Sequence, residues 1–310
     1  MQTDTPLISD QVRRFILEQR PVRGQWVHLD SAWRELRAHA SYPTPVNELL
    51  GQAVAAVVLL SATLKFRGTL TFQLQGTGAV NLLVAQCTHD FHLRAVARWD
   101  ATALALLKAG EPFGTVFHEL VGADGRVTVT IESEDKSTRY QGIVPLAGDS
   151  LAESLEAYFA TSEQLPTRVV LAADAEHAAG LLVQKLPGKE ADADEDGRGA
   201  WQEAQAALGR APGRELLNSP MEVLLAHAFA GLDLRVFRGS PVSFECRCSP
   251  GRVAGVLKAL GAGEIRDLLR EQGSVTVTCE FCQRPYQFDC IDIEALFTDT
   301  PELGQPPAVH

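Results

Sequence analysis

Positive charge is the first thing this chain is short of. Lys and Arg number 28 against 39 Asp and Glu, a formal net charge of -11. That leaves no general footprint for nucleic acid or an anionic membrane, both of which are drawn to positive potential. Cysteine is scarce too, six among 310 residues, which is too few for a disulfide scaffold. The most apolar stretch, Leu49 to Leu64, is about a turn short of a bilayer span and is broken by Gly51, Gln52 and Ser61, so a buried helix is expected there. The opening MQTDTPLISDQVRRF mixes acids and bases without a continuous apolar region and does not read as a secretory signal, which makes the cytoplasm the expected compartment. No GxSxG elbow, Walker loop or HExxH is present, so no enzyme is expected.

What remains is ordinary globular material, 45% apolar and 22% charged, long enough for about two domains. Trp26 and Trp33 read as core anchors. Two prolines precede a predicted helix from about Thr44, with Asn47 as its expected cap. Leu70, Phe72 and Leu74 then alternate with Thr69, Thr71, Gln73 and Gln75, a period of two that predicts a strand. Gly76 and Gly78 mark a hairpin turn, since Asn81 stands where the third glycine of a dinucleotide fingerprint would be. Further strands are predicted at Val127 to Ile131 and Tyr140 to Val144. Ser150 with Glu153 three residues on forms a capping box, ahead of Leu151, Leu155, Tyr158 and Phe159 at helical spacing, and Pro166 ends that run. The acidic stretch from Glu190 to Asp196 reads as a solvated connector. Beyond it, Trp201 to Phe229 breaks into short helical pieces that need packing from neighbours to persist.

Four of the cysteines cluster near the end as Cys246-x-Cys248 and Cys279-x-x-Cys282, with 30 residues between the pairs. Four thiolates brought to one point suit tetrahedral zinc. The insert supports this: Ser249 and Pro250 start a helix, Val253, Val256, Leu257 and Leu260 form one stripe, and Gly261 stops it. A second short helix ends at Gly273, and Val275, Val277, Tyr286 and Phe288 alternate about a hairpin whose tip is the CxxC. A unit of about fifty residues buries too little to stand without the metal. Two readings of the site stay open. A static zinc-ribbon interaction module on an α+β domain is one, although six basic and six acidic residues between Pro241 and Cys290 give no phosphate footprint. A redox switch is the other, because zinc holds thiolates, the form that oxidants attack, and each close pair contains its own resolving partner. A thiol oxidoreductase of thioredoxin type is disfavoured, because Pro285, Tyr286 and Phe288 place strand rather than helix after Cys282. Cys87 and Cys290 are expected to be core thiols, and His89 and His92, with no third ligand nearby, to be surface or core side chains.

Four stretches carry a family resemblance: LLSATLKFRGTLTFQLQGTGAVNLLV from Leu59, RYQGIVPLAGDSLAESLEAYFATSEQLPTR from Arg139, FECRCS from Phe244 and CEFCQRPYQFD from Cys279. With ALGAGEIRDLLREQG they span the chain nearly end to end, and it resembles the redox-regulated 33 kDa chaperonins, bacterial heat-shock holdases. Gly251 departs from the Glu that usually precedes the motif's Arg, here Arg252, and the acid-rich run near Asp194 looks like a local elaboration. The resemblance implies an α+β fold. A mixed or antiparallel sheet packed by helices would occupy residues 1–177, a flexible helical linker 178–240, a four-cysteine zinc module 241–293 and a disordered tail 294–310. It further implies that the reduced form, with zinc on Cys246, Cys248, Cys279 and Cys282, is inactive. Oxidation would pair Cys246 with Cys248 and Cys279 with Cys282, expel zinc and unfold the linker, so that a homodimer with exchanged linker helices holds unfolding client proteins without ATP. It assigns no client-contact residues.

Overall fold

The structure, a computed structural model, describes residues 10–107, 113–187, 195–211 and 213–298. It divides into two compact units, Met1–Glu245 and Cys246–His310.

The first unit opens with strands β1 (Gln11–Leu17) and β2 (Val22–Leu29), then helices α1 (Ser31–Arg37) and α2 (Thr44–Thr63). Strands β3 (Gly68–Gln75), β4 (Val80–Thr88) and β5 (His92–Trp99) follow, then α3 (Ala101–Ala105), α4 (Phe113–Val121), β6 (Arg126–Ser133), β7 (Arg139–Pro145) and α5 (Leu151–Tyr158). A π-helical turn, Phe159–Glu163, leads into β8 (Thr167–Ala173) and β9 (Ala178–Lys185). Three helices, α6 (Glu195–Gly209), α7 (Gly213–Asn218) and α8 (Met221–Ala228), precede the short strands β10 (Leu234–Val236), β11 (Ser240–Pro241) and β12 (Ser243–Phe244).

Two sheets result. In the first, β10-β1-β2-β9-β8 run antiparallel, with β11 also on β1. In the second the order is β12-β5-β4-β3-β6-β7, antiparallel except for the parallel β12/β5 pair. The expected strand over residues 69–75 and its glycine turn are the β3/β4 hairpin.

Helix α2 packs on strands of both sheets, touching β2, β8 and β9 on one and β3, β4 and β5 on the other. A helix that is apolar all round is stable only where it is buried all round. Although α2 is long and apolar enough to cross a membrane, 83% of its most apolar window lies inside the fold. Its entry differs from expectation. Pro43 is the cap residue, and Asn47 is buried, accepting from Arg37 and donating to the Asp174 carbonyl, so it ties α2 to neighbouring loops instead of capping it. The capping box at α5 holds in modified form, since Ser150 accepts from the Glu153 N–H while the Glu153 carboxylate accepts from Asp149.

The first sheet is covered on both faces. Val27, Leu29 and Leu182 face the α2 core, whereas Phe15, Leu17, Val22, Trp26, Leu181 and Val183 form a second core with Ala204, Leu208, Leu216, Met221, Leu224, Leu225 and Phe229 of α6 to α8 and the turn after them. This corrects the expected boundary at residue 178. Ala178–Lys185 is not linker but β9, an interior strand between β2 and β8. Strands buried on both faces lose the alternation that reveals a strand in sequence. Of the acidic connector expected from Glu190 to Asp196, residues 190–194 lie outside the described residues, and Glu195 and Asp196 begin α6.

The second unit holds α9 (Pro250–Leu260), α10 (Ala262–Gln272), the antiparallel hairpin β13 (Val275–Thr278) and β14 (Pro285–Phe288), and α11 (Cys290–Thr298). Its fully buried apolar cluster is small, namely Leu257, Ile265, Val275 and Ile293. The predicted α9 stripe is only half buried, since Val253 and Leu257 are inside whereas Val256 and Leu260 are 57% and 52% exposed. The module also runs past its expected end at residue 293. Helix α11 continues to Thr298, with Leu296 and Phe297 packed on the cluster and Glu294 paired with Arg266 at 2.7 Å.

Candidate metal centre

Each half of the site is shaped by its own local structure. Cys246 and Cys248 stand just before α9, whose start is fixed by Ser249, its hydroxyl accepting from the Arg252 N–H at 3.3 Å. Pro at the first helical position suits this entry, as its missing N–H has no intrahelical acceptor there. Cys279 and Cys282 occupy the turn between β13 and β14, closed by Gln283 N–H to the Cys279 carbonyl at 2.8 Å and Cys279 N–H to the Arg284 carbonyl at 2.9 Å. Gln283 takes a left-handed backbone there, with φ of 52°. The expected hairpin tip and both helix stops, Gly261 and Gly273, are in place.

All four sulfurs lie within 4.8 Å of one another, and among the described residues no other group of three or more metal-binding side chains comes together. Cys246 Sγ is 3.7 Å from Cys279 Sγ, and Cys248 Sγ is 3.4 Å from Cys282 Sγ. Sulfurs bound to one tetrahedral ion at about 2.3 Å stand about 3.8 Å apart. The donor set therefore fits a thiophilic metal ion with four-sulfur coordination.

Electrostatically the thiols are unequal. Burial raises Cys248, but hydrogen bonds from the Tyr286 hydroxyl and the neighbouring thiols outweigh it and bring it down to about 7. Burial dominates at Cys282, which is pushed up to about 12, and also raises Cys246. The Tyr286 hydroxyl lies 3.0 Å from Cys248 Sγ. That contact was not legible in the sequence, where Tyr286 showed only as one side of an alternating strand. Among the other thiols, Cys87 is buried in β4 as expected, whereas Cys290 is exposed at the start of α11 and not the core thiol expected. His89 pairs with Glu134 at 3.5 Å, and His92 meets Ser243 at 2.9 Å and Glu245 at 3.3 Å, both in surface roles.

The family described as Hsp33 protein matches residues 10–289. The chain belongs to the Hsp33 family. Among its curated relatives, the 33 kDa chaperonin of Nitrosococcus oceani is 43% identical over 290 residues, covering 94% of this chain and 95% of its own. That of Methylobacillus flagellatus is 40% identical over 292 residues, with 94% and 95% covered. The crystal structure of the Thermotoga maritima 33 kDa chaperonin superposes with a TM-score of 0.78 over 93% of this chain and 98% of that one. At 22% identity that likeness speaks for the fold. Hsp33 is a family of chaperones and not an enzyme class, and membership supports a chaperone function for the chain.

Proposed function

We propose that the protein is a redox-regulated, ATP-independent holdase, inactive when reduced with zinc on Cys246, Cys248, Cys279 and Cys282. The convergence of four sulfurs from a CxC and a CxxC, with contacts of 3.7 and 3.4 Å across the two halves, is the observation that carries this reading. Zinc, when bound, supplies the stability that four buried apolar side chains do not, and keeps the sulfurs as thiolates.

Activation begins with a peroxide-class oxidant. Within each pair one thiolate attacks the peroxide, giving a sulfenic acid, and its partner displaces water to close the disulfide, Cys246 with Cys248 and Cys279 with Cys282. Each pair of thiolates gives up two electrons, and the peroxide, taking these with two protons from solvent, becomes two waters. Sulfurs joined in disulfides no longer donate as thiolates, so the oxidised pairs give up the metal and the module loses its support. Helices α6 to α8 act as the metastable linker. Strands β10, β11 and β12 follow them and run directly into Cys246, so chain connectivity links the site to the end of the helical layer. Lifting that layer uncovers Phe15, Leu17, Trp26, Leu181 and Val183 on the sheet, and Leu216, Leu224, Leu225 and Phe229 on the helices, which are the surfaces proposed to hold unfolding clients. The activated form is proposed as a cytoplasmic homodimer; the net charge of -11 argues against nucleic acid or an anionic membrane as a partner.

The test compares reduced, zinc-loaded protein with protein treated with peroxide at mildly raised temperature. Zinc release is read with a metallochromic dye and holding by suppression of a model client's aggregation. Oxidation without zinc release, or equal holding in both forms, sinks the proposal.

A further inference from the structure

The switch described above leaves one buried titratable group unused. His28 lies on β2, on the same face as Val22 and Trp26, and is 0% exposed under the helical layer. Its Nε2 donates to the Leu217 carbonyl of α7 at 2.8 Å. Because a carbonyl only accepts, Nε2 carries the proton and Nδ1 is the bare nitrogen, and Nδ1 has no hydrogen-bond partner. The ring stacks on Trp26 at 5.9 Å between centroids and lies 5.2 Å from the His177 ring.

Among the described residues no carboxylate hydrogen-bonds the His28 ring, and Asp30 and Asp10 favour its charged form less than burial disfavours it. Asp10 accepts from the N–H groups of Asp30, Ser31 and Ala32, and Asp30 pairs with Arg34 at 2.6 Å. His177 sits in the turn before β9, with Asp174 at 3.8 Å. On α7, Glu215 is paired with His227 of α8 at 3.0 Å, and Arg214 is exposed. A proton arriving at Nδ1 would thus place a charge and an unmatched N–H inside a buried interface, and an unpaired buried charge is costlier than the neutral ring.

We propose that His28 is an acid-sensitive clasp for the helical layer: the neutral ring holds α7 on the sheet, and proton uptake releases α6 to α8 while all four cysteines remain reduced. This would give the chaperone a second trigger, acid rather than oxidant. It rests on the reading that lifting the layer exposes the client surface.

Burial, the largest influence, pushes the His28 imidazole below its ordinary value of 6.5, against a smaller upward pull from the Leu217 hydrogen bond. A group depressed in the docked state binds its proton more tightly once undocked, so docking is fully favoured above 6.5 and is lost as pH falls below it. For a ring that stays neutral when docked, the docking constant falls about tenfold between pH 7.5 and 5.5.

The experiment uses the full-length, reduced, zinc-loaded chain and its His28→Gln variant, in which the amide keeps a neutral donor. Hydrogen exchange of the α7 and α8 amides, corrected for intrinsic pH dependence, is compared at pH 7.5 and 5.5, with zinc retention read in the same samples. The wild type should lose about tenfold protection at pH 5.5 and His28→Gln should not. Equal loss in both, or loss in neither, overturns the clasp, and acid effects on the zinc site cancel because both proteins share it. Should His28→Gln fail to fold, NMR titration of the His28 ring in the wild type decides. Ring protonation that coincides with loss of α7 protection supports the proposal, and protection lost while the ring is still neutral refutes it. Opening at acid pH without capture of a client would leave the clasp standing and count against the client-surface reading.

Discussion

Phe229→Ala tests whether the helical layer is a separable unit. Phe229 follows α8, is 1% exposed, and meets Phe15 of β1 edge to face at 5.4 Å between ring centroids. Phe15 cannot retreat, since its ring lies over Gly24 of β2 so closely that a Cβ there would fall 2.0 Å from it. The Phe229 ring belongs to the second core, with Met221, Leu224 and Leu225, and has no place in the cluster around α2. Truncating a buried Phe costs about 3–5 kcal/mol. Phe229 also lines an open groove with Leu225, Leu232 and Leu234 that can partly collapse, so the low end applies, about 3 kcal/mol. At 1.4 kcal/mol per tenfold, that is roughly a hundredfold shift of the docking equilibrium. If the layer opens as a local unit, native-state hydrogen exchange on reduced, zinc-loaded protein should show about hundredfold less protection in α7 and α8, with β3 and β4 unchanged. The variant should also suppress client aggregation without oxidant. Equal loss of protection in α8 and β3 would refute the reasoning, because the layer and the sheet core would then open only together.

Two further predictions concern the four-cysteine module. Gly251 is the second residue of α9, has nothing within 4 Å of where its Cβ would be, and heads a helix with no acid in its first turn. Gly251→Ala should stabilise the zinc-loaded module by about 0.5–1 kcal/mol and Gly251→Glu by about 0.3–1 kcal/mol more, read as a shift in the chemical denaturation midpoint of α9; no shift with either would show that α9 is not held back by its first turn. Tyr286→Phe removes the hydroxyl 3.0 Å from Cys248 Sγ, a hydrogen bond that stabilises the Cys248 thiolate, so the zinc-loaded variant should lose its metal to a competing chelator faster than wild type, followed with a metallochromic dye. Equal rates of zinc loss would mean that the Tyr286 hydroxyl does not support Cys248 as a ligand.

How much of this was legible in sequence depended on how many faces each element buries. Strand β3 buries Leu70, Phe72 and Leu74 and half-covers the residues between them, so its alternation was plain. Strand β9 is buried at Ala178 through Gln184 without a break, which erases the period and hid it inside an apparent linker. The convergence of the four cysteines was legible because cysteine is rare and its spacing is set by local turns, Ser249 with Pro250 at one half and the β13/β14 turn at the other. His28 and Tyr286 were not legible, since each matters through a partner far along the chain, Leu217 and Cys248 respectively. Cys290 misled for a related reason. It follows a strand, as buried thiols often do, but begins a helix that turns it outward while Ile293 takes the buried place.

The helical layer also changes the argument about activation. Helices of six, eight and fifteen residues are too short to persist alone, which makes them look like elements that melt whenever a neighbour does. In the fold, however, their apolar residues share a core with Phe15, Trp26, Leu181 and Val183, so they are held by the sheet and not by themselves. Loss of the zinc module alone removes none of those contacts. What it removes is the folded unit that begins at Cys246, leaving the chain after the layer held by three-residue β10, the two-residue strands β11 and β12, and contacts between them such as Phe237 N–H to the Arg14 carbonyl, Arg235 to Glu18 and the buried Val242. Oxidation on this view lowers the cost of opening without supplying all of it, and a second stress must supply the rest. Heat does so by favouring the disordered chain, and protonation of His28 would do so from inside the interface, which is why an oxidant and a mild secondary stress should act more than additively on this protein.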